Sequence, residues 1–385
     1  MTDEPSADAQ AHSQRLVEHI RAVITACGGA IPFADFMALA LYAPGLGYYM
    51  AGAHKLGTGG DFVTAPEISP LFGQCLARAI SPVLKTLGGG SILEVGAGCG
   101  TLAVQILETL IPLGCPPQTY QILEISPDLR ERQQQTLERQ GLVDRVQWLE
   151  RLPGSWRGVI LANEVVDALP VARFRIRAEH IEEIWVTWQD GGFREFFDPP
   201  ASPGLIQAVE ALHRQGLATD DGYQSEVNLQ AGSWLTALVK GFEAGAVYLI
   251  DYGYPRVGYY HPERHQGTLR CHYRQQVHAD PYRWVGLQDI TSDVNFSDLA
   301  EAAVTAGLRV SGFTSQAHFL LSLGIDRLLP DPNSVSLQTY LTLTGGIKRL
   351  MLPGEMGERF QVLGLSRQLE EPLAGFDGRD GRGRL

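Results

Sequence analysis

Three glycines in a row of alternating positions, flanked by acids, mark where this chain is best equipped for chemistry. The stretch Leu93-Glu94-Val95-Gly96-Ala97-Gly98-Cys99-Gly100-Thr101-Leu102 carries an apolar run into a turn almost free of side chains. Such a turn lets a ligand approach the backbone without meeting a Cβ. The helix that follows it offers unpaired N–H donors to an anionic group. Further along, Glu124 ends a second apolar run, where a carboxylate can take both hydroxyls of a ribose. A second constellation is Leu161-Ala162-Asn163-Glu164-Val165-Val166-Asp167-Ala168-Leu169-Pro170. Asn163, Glu164 and Asp167 bring an amide and two carboxylates to the end of another apolar run, a set that suits a polar or cationic nucleophile. Asn163 and Asp167 could instead cap the helix that follows, and the glycine turn taken alone could be purely structural.

The elements needed to position these groups can be read from the periodicity. Residues 11–43 read as helical, with Leu16, Ile20, Val23 and Ile24 on one face and Gly28-Gly29 as the stop. A helix is expected from Ser69 to about Leu87, then strands over Ser91–Val95, Tyr120–Ile125, Val146–Glu150 and Gly158–Ala162, with helices between the first three. Runs such as Ile-Leu-Glu-Val and Val-Ile-Leu-Ala, apolar on both faces, fit buried parallel strands. The alternation of strand and helix predicts an open, largely parallel sheet. Ligands of such sheets sit beyond the carboxyl ends of the strands, where both constellations fall. From Arg173 to Trp188 apolar and charged residues alternate up to Asp190-Gly191-Gly192, which reads as an antiparallel insert. The sheet resumes with Ala246–Asp251 and Leu308–Phe313, residues 345–367 read as closing strands, and the tail after Glu370 reads as disordered. Pro44 to Pro70 is too long for an ordinary connection, so it reads as a lid or cradle.

Composition narrows the function classes. With 385 residues, 44% of them hydrophobic, the chain can bury a large core. A net charge of −12 is the wrong sign for a nucleic-acid binder, and a basic protein partner suits the field better. An aromatic and arginine-rich stretch around Tyr252 to Trp284 could stack RNA, but the same charge favours a peptide groove or sheet cover. The cysteines are scattered and odd in number, as expected of free thiols in a reducing compartment. His261, His265, Cys271, His272 and His278 crowd one stretch, but Pro262 and Gly267 interrupt any finger-like spacing, so no metal is expected. No apolar run is long enough to insert into a bilayer. The acidic N-terminus has no apolar core of a signal peptide, which leaves the cytoplasm as the default location.

Two ligand classes share the glycine-loop logic. Dinucleotides use G-x-G-x-x-G, and S-adenosylmethionine is the other. Here the spacing is G-x-G-x-G preceded by Glu94, which resembles the class I methyltransferases, in which an acid just before the glycines faces the methionine end of the cofactor. Together, Gly60-Asp61-Phe62-Val63-Thr64-Ala65-Pro66-Glu67-Ile68-Ser69, the LEVGAGCGTL loop, NEVVDALP and Ile250-Asp251-Tyr252-Gly253 resemble the MidA-type methyltransferases, a family that includes a mitochondrial complex I assembly arginine methyltransferase. The resemblance runs on through Gly267-Thr268-Leu269-Arg270, Gln288 to Phe296 and Gln316 to Ile325. The chain departs from the family at Ala97 and Cys99, where Pro and Arg are common, and at Val165 and Val166, where aromatic residues are common.

The resemblance implies a Rossmann-like α/β sheet of the class I methyltransferase kind, with a helical N-terminal extension and an antiparallel insert. It implies S-adenosyl-L-methionine as cofactor, held by Glu94, Gly96, Gly98, Gly100, Glu124, Thr64 and Asn163. Glu164 is the first candidate to grip a substrate guanidinium, with Asn163, Asp167 and Glu226 in support. The implied substrate is an arginine on a respiratory complex I or NAD(P)H dehydrogenase subunit. Rival readings are a methyltransferase for small molecules or other residues, and a cofactor-binding assembly chaperone without catalysis. Exposed apolar residues in the insert could serve a homodimer or a client protein. The expected partition is a tail over 1–12, an extension with covering loop over 13–90, a cofactor core over 91–170, an insert over 171–245, the rest of the sheet over 246–368, and a tail over 369–385.

Overall fold

The computed structural model describes residues 4–51 and 63–385. The chain divides into two compact units, each assembled from separated stretches of sequence. The larger holds Val63–Val166, Gly232–Pro255 and Phe296–Leu385. The smaller takes the described residues up to Ala51 together with Asp167–Ala231 and Arg256–Asn295. The boundaries therefore differ from the expected linear partition. The N-terminal extension and the insert are parts of one unit, and the Val63–Ser69 segment belongs to the other.

The larger unit is built on one twisted sheet. Its strands are β1 (Ser91–Val95), β2 (Tyr120–Leu123), β3 (Val146–Leu149), β4 (Trp156–Asn163), β5 (Phe242–Tyr254), β6 (Arg309–Ser315) and β7 (Phe360–Arg367). Across the sheet they run β3-β2-β1-β4-β5-β7-β6. The pairs from β3 to β5 are parallel, while β7 runs antiparallel to both its neighbours. The order reverses at β1, which lies between β2 and β4, so a crevice opens at the carboxyl ends of β1 and β4. Ile92, Leu93, Val159, Ile160, Val247 and Leu249 are buried, as strands covered on both faces require.

Helices α1 (Pro70–Thr86), α2 (Thr101–Leu110) and α3 (Pro127–Arg139) cover this sheet. Ser69 caps α1 by accepting from Leu71 N at 3.3 Å, and Ser126 caps α3 by accepting from Leu129 N at 3.3 Å. Each cap contributes about 1 kcal/mol to the start of its helix.

Two expectations are corrected in this unit. Residues 345–367 are only partly strand, because Leu337–Met351 is a helix and β7 begins at Phe360. Ser336 starts that helix by accepting from Thr339 N at 3.1 Å, and Leu350 buries its inner face. The tail after Glu370 is not a loose end. Leu373 and Phe376 are buried, and the Phe376 ring packs 5.4 Å from Phe319 and stacks on Tyr248 at 6.4 Å. A tail rich in Gly, Asp and Arg reads as solvated, but Leu373 and Phe376 anchor it in the core, and Gly381 N donates to the Phe313 carbonyl at 2.6 Å.

The smaller unit is largely antiparallel. His180–Gln189 pairs with Ala172–Arg177 and with Gly192–Asp198, and Ala172–Arg177 pairs in turn with Gln224–Val227. The short strand Ala30–Pro32 adds to the same sheet through Trp185–Thr187. Helices Ala7–Ala26 and Phe33–Tyr42 pack on it, burying Leu16, Ile20, Phe36 and Met37 against Ile184, Val186 and Phe193.

Candidate active site

The glycine loop of the larger unit has the conformation its sequence anticipates. Gly96, Gly98 and Gly100 have φ of 65°, 53° and 83°, in the left-handed region that residues with a Cβ rarely adopt. A Cβ on Gly100 would come within 3.2 Å of the Gln133 Cα, so the loop also permits α3 to approach closely. A cleft opens beside it, lined by Thr64, Pro66, Glu67, Glu94, Gly96 to Cys99, Thr101, Leu102 and Asn163.

Glu94, next to last in its strand, is almost fully buried, and Tyr120 Oη donates to its Oε2 at 2.7 Å. Burial pushes the Glu94 carboxyl up to about 7. The Tyr120 hydrogen bond opposes that rise and the nearby Glu124 charge adds to it. Glu124, at the end of β2, accepts from Ser126 N at 2.9 Å through Oε1. Its Oε2 accepts from Gln133 Nε2 at 2.9 Å, and the same nitrogen donates to the Gly98 carbonyl at 3.0 Å. Cys99 has its thiol pushed up to about 11, chiefly by burial and then by the Glu67 charge, so it is a poor nucleophile.

At the end of β4, Asn163 lines the cleft and donates through Nδ2 to Glu164 Oε1 at 3.1 Å. Asn163 Oδ1 is buried without a hydrogen-bond partner among the described residues. Glu164 has φ of 54°, an uncommon conformation for a residue with a side chain. Holding it costs about 1–3 kcal/mol. The surrounding contacts enforce it. Glu164 N donates to the Ile250 carbonyl at 2.9 Å, and Asp251 Oδ2 accepts from Val165 N at 3.2 Å and Val166 N at 3.0 Å. Asp251 is thereby the clamp on this turn. Ala65 N reaches Glu164 Oε1 at 3.4 Å, which brings the Val63–Ser69 segment to the same carboxylate. Gln105 steadies that segment by donating to the Pro66 carbonyl at 2.7 Å.

The structure thus brings Thr64, Glu94, Gly96, Gly98 and Asn163 to one cleft. Glu124 joins them through Gln133, and Glu164 through Asn163. Of the Pro44 to Pro70 stretch read as a lid or cradle, residues 52–62 lie outside the described residues. Asp167 and Glu226 belong to the smaller unit. Asp167 is buried, and its carbonyl accepts from Ser292 N at 3.0 Å. Glu226 is 1% exposed, and its Oε2 accepts from Thr268 N at 2.9 Å and Thr268 Oγ1 at 3.3 Å. A Cβ on Gly267 would collide with Glu226 Oε1. These contacts tie Glu226 to the Gly267-Thr268 turn. Reading the sequence missed Tyr120, Gln105 and Gln133, whose spacing resembles that of any half-polar element.

Comparison with known proteins places the chain. Residues 75–314 match the family model of S-adenosyl-L-methionine-dependent methyltransferases designated Methyltransf_28. A crystal structure of a Burkholderia thailandensis protein bound to S-adenosyl-homocysteine is 42% identical, covers 99% of each chain and superposes with a TM-score of 0.94. The protein arginine methyltransferase NDUFAF7, mitochondrial, of Danio rerio is 30% identical over 96% of this chain and 94% of its own length. Its Homo sapiens counterpart is 29% identical over 88% and 80%. These names correct the expected cytoplasmic location. The relatives are mitochondrial proteins, and an acidic N-terminal stretch without an apolar core is no basis for choosing a compartment.

The residues of the cleft fit S-adenosylmethionine. A buried carboxylate at Glu94 and the unsatisfied Asn163 Oδ1 would both be completed by an ammonium group. The positive-φ glycines leave a backbone cradle beside them. The chain belongs to the S-adenosyl-L-methionine-dependent methyltransferase family, and this cofactor is the one it uses.

Proposed function

We propose that this enzyme methylates an arginine side chain of a protein, and that its target is a subunit of respiratory complex I or of a related NAD(P)H dehydrogenase. The observation that carries the reading is the Glu164 carboxylate, held in a costly backbone conformation at the end of β4 with Asn163 beside it. Strain of this kind is kept where a side chain must be aimed. The names of the relatives, protein arginine methyltransferases, support the same substrate class.

When bound, the cofactor supplies a methyl group on a sulfonium, already activated for in-line displacement. The protein's task is then to bind, orient and exclude water. Glu94, Asn163 and the glycine-loop backbone hold the amino-acid end, and Glu124 takes the ribose hydroxyls. Thr64 and its segment cover the cleft. A guanidinium is a weak nucleophile because its charge and lone pairs are delocalised. A carboxylate gripping its N–H fork draws positive charge away from the attacking nitrogen. Glu164 makes that grip and receives the proton released as the nitrogen is methylated.

The test is transfer of a radiolabelled methyl group from S-adenosylmethionine into purified complex I or NAD(P)H dehydrogenase subunits, followed by acid hydrolysis and amino-acid analysis. Label recovered as methylarginine, and lost in Glu164→Gln, is the expected result. Label on lysine, on a carboxylate or only on small molecules would overturn the arginine assignment. Binding of the cofactor with no transfer to any subunit would favour the chaperone reading.

A further inference from the structure

Gln133 is fully buried on a mostly polar helix, between the buried Leu129 and Leu137, and it lies against the glycine loop. Its side-chain oxygen accepts from Trp148 Nε1 at 2.9 Å. An indole nitrogen can only donate, so this contact fixes which end of the amide is the oxygen. The Gln133 Nε2 must therefore face the other way, where its two hydrogens meet two acceptors, the Gly98 carbonyl at 3.0 Å and Glu124 Oε2 at 2.9 Å. The other Glu124 oxygen is held by Ser126 N at 2.9 Å. One buried amide thus ties the cofactor loop to the carboxylate at the end of β2, with its orientation set from β3.

We propose that Gln133 is a positioning residue for ribose recognition, aiming the Glu124 carboxylate by bridging it to the glycine loop while Trp148 locks the amide. The proposal rests on the assignment of Glu124 to the ribose. It predicts that Gln133 governs discrimination between ligands with and without ribose hydroxyls, and not affinity in general. A residue that only supported the fold would weaken both kinds of ligand alike.

The experiment measures Kd by calorimetry for S-adenosylhomocysteine and for its 2′,3′-dideoxy counterpart. The wild type should prefer the hydroxyl-bearing ligand by on the order of 100-fold, since two charge-assisted hydrogen bonds are at stake. Gln133→Met should shrink that preference to below roughly tenfold, chiefly by weakening S-adenosylhomocysteine. Gln133→Glu keeps the shape and the acceptor for Trp148 but sets a carboxylate against Glu124. It should give the same narrowing and serves where Gln133→Met does not fold. Glu124→Gln, run in parallel, should narrow the preference too. If Glu124→Gln narrows it while both Gln133 variants retain the wild-type ratio, the positioning role is wrong and the ribose assignment stands. If Glu124→Gln itself retains the ratio, the ribose assignment fails and the proposal falls with it.

Discussion

Each unit sets a buried glutamate against a glycine turn, and the two glutamates have different surroundings. In the larger unit, Glu94 precedes Gly96, takes one hydrogen bond from Tyr120 and lines an open cleft. In the smaller unit, Glu226 lies against Gly267 and is closed in by the Thr268 backbone and hydroxyl. Burial raises the carboxyl of both, at Glu226 against the pull of Arg173 and Thr268. One carboxylate lines a cleft, and the other accepts from a backbone amide and a hydroxyl of its own unit.

The contrast can be broken or sharpened by substitution. The largest effect is expected at the loop. Gly98→Val should weaken S-adenosylhomocysteine by more than about 100-fold, because a branched side chain at φ of 53° both strains the turn and obstructs the backbone approach. Unchanged calorimetric affinity in a folded variant would contradict this. Glu164→Gln should keep cofactor affinity while lowering kcat by roughly 100-fold, the scale seen when a charge-stabilising group is removed. Equal turnover in both forms would take Glu164 out of the chemistry.

Glu94 gives an effect that depends on pH. Its folded carboxyl titrates near 7, above the 4.5 of an unhindered glutamate. It therefore contributes stability to the free protein that is complete below about pH 4.5 and is lost as pH rises through 7. A cofactor ammonium favours the ionised form, so affinity for S-adenosylhomocysteine should rise by about tenfold between roughly pH 6 and 8. Glu94→Gln should bind more weakly and with a flat pH profile, as titration calorimetry across that range would reveal. A wild-type profile that falls with rising pH would show that Glu94 meets no cation. The smallest effect on binding is expected in the other unit. Glu226→Ala should lower stability by about 1–3 kcal/mol, read from denaturant midpoints, and leave cofactor affinity unchanged. A loss of cofactor affinity there would erase the distinction between the two acids.

The legible part of the molecule was the part encoded locally. The strand, glycine turn and helix around Gly96 to Thr101 declare themselves within a dozen or so residues by a change of hydrophobic period. The acids at the ends of β2 and β4 followed from that pattern. Long-range pairing was not legible. Nothing in Ala30–Pro32 announces that it will add to a sheet through Trp185–Thr187, so the extension and the insert read as separate regions. Gln133 was hidden because its helix is mostly polar and it stands among other glutamines, although Leu129 and Leu137 one turn to either side mark the buried face. The surroundings of Glu226 were hidden for another reason. A carboxylate in a short motif carries no sign of whether its oxygens will meet a cavity or a backbone amide.

The most direct test is a crystal structure of the enzyme soaked with S-adenosylhomocysteine. The homocysteine ammonium is expected beside Glu94 and Asn163, the ribose hydroxyls on Glu124, and the sulfur directed toward Glu164. An empty cleft at saturating ligand, or the nucleoside seated away from the Gly96–Gly100 loop, would contradict the account.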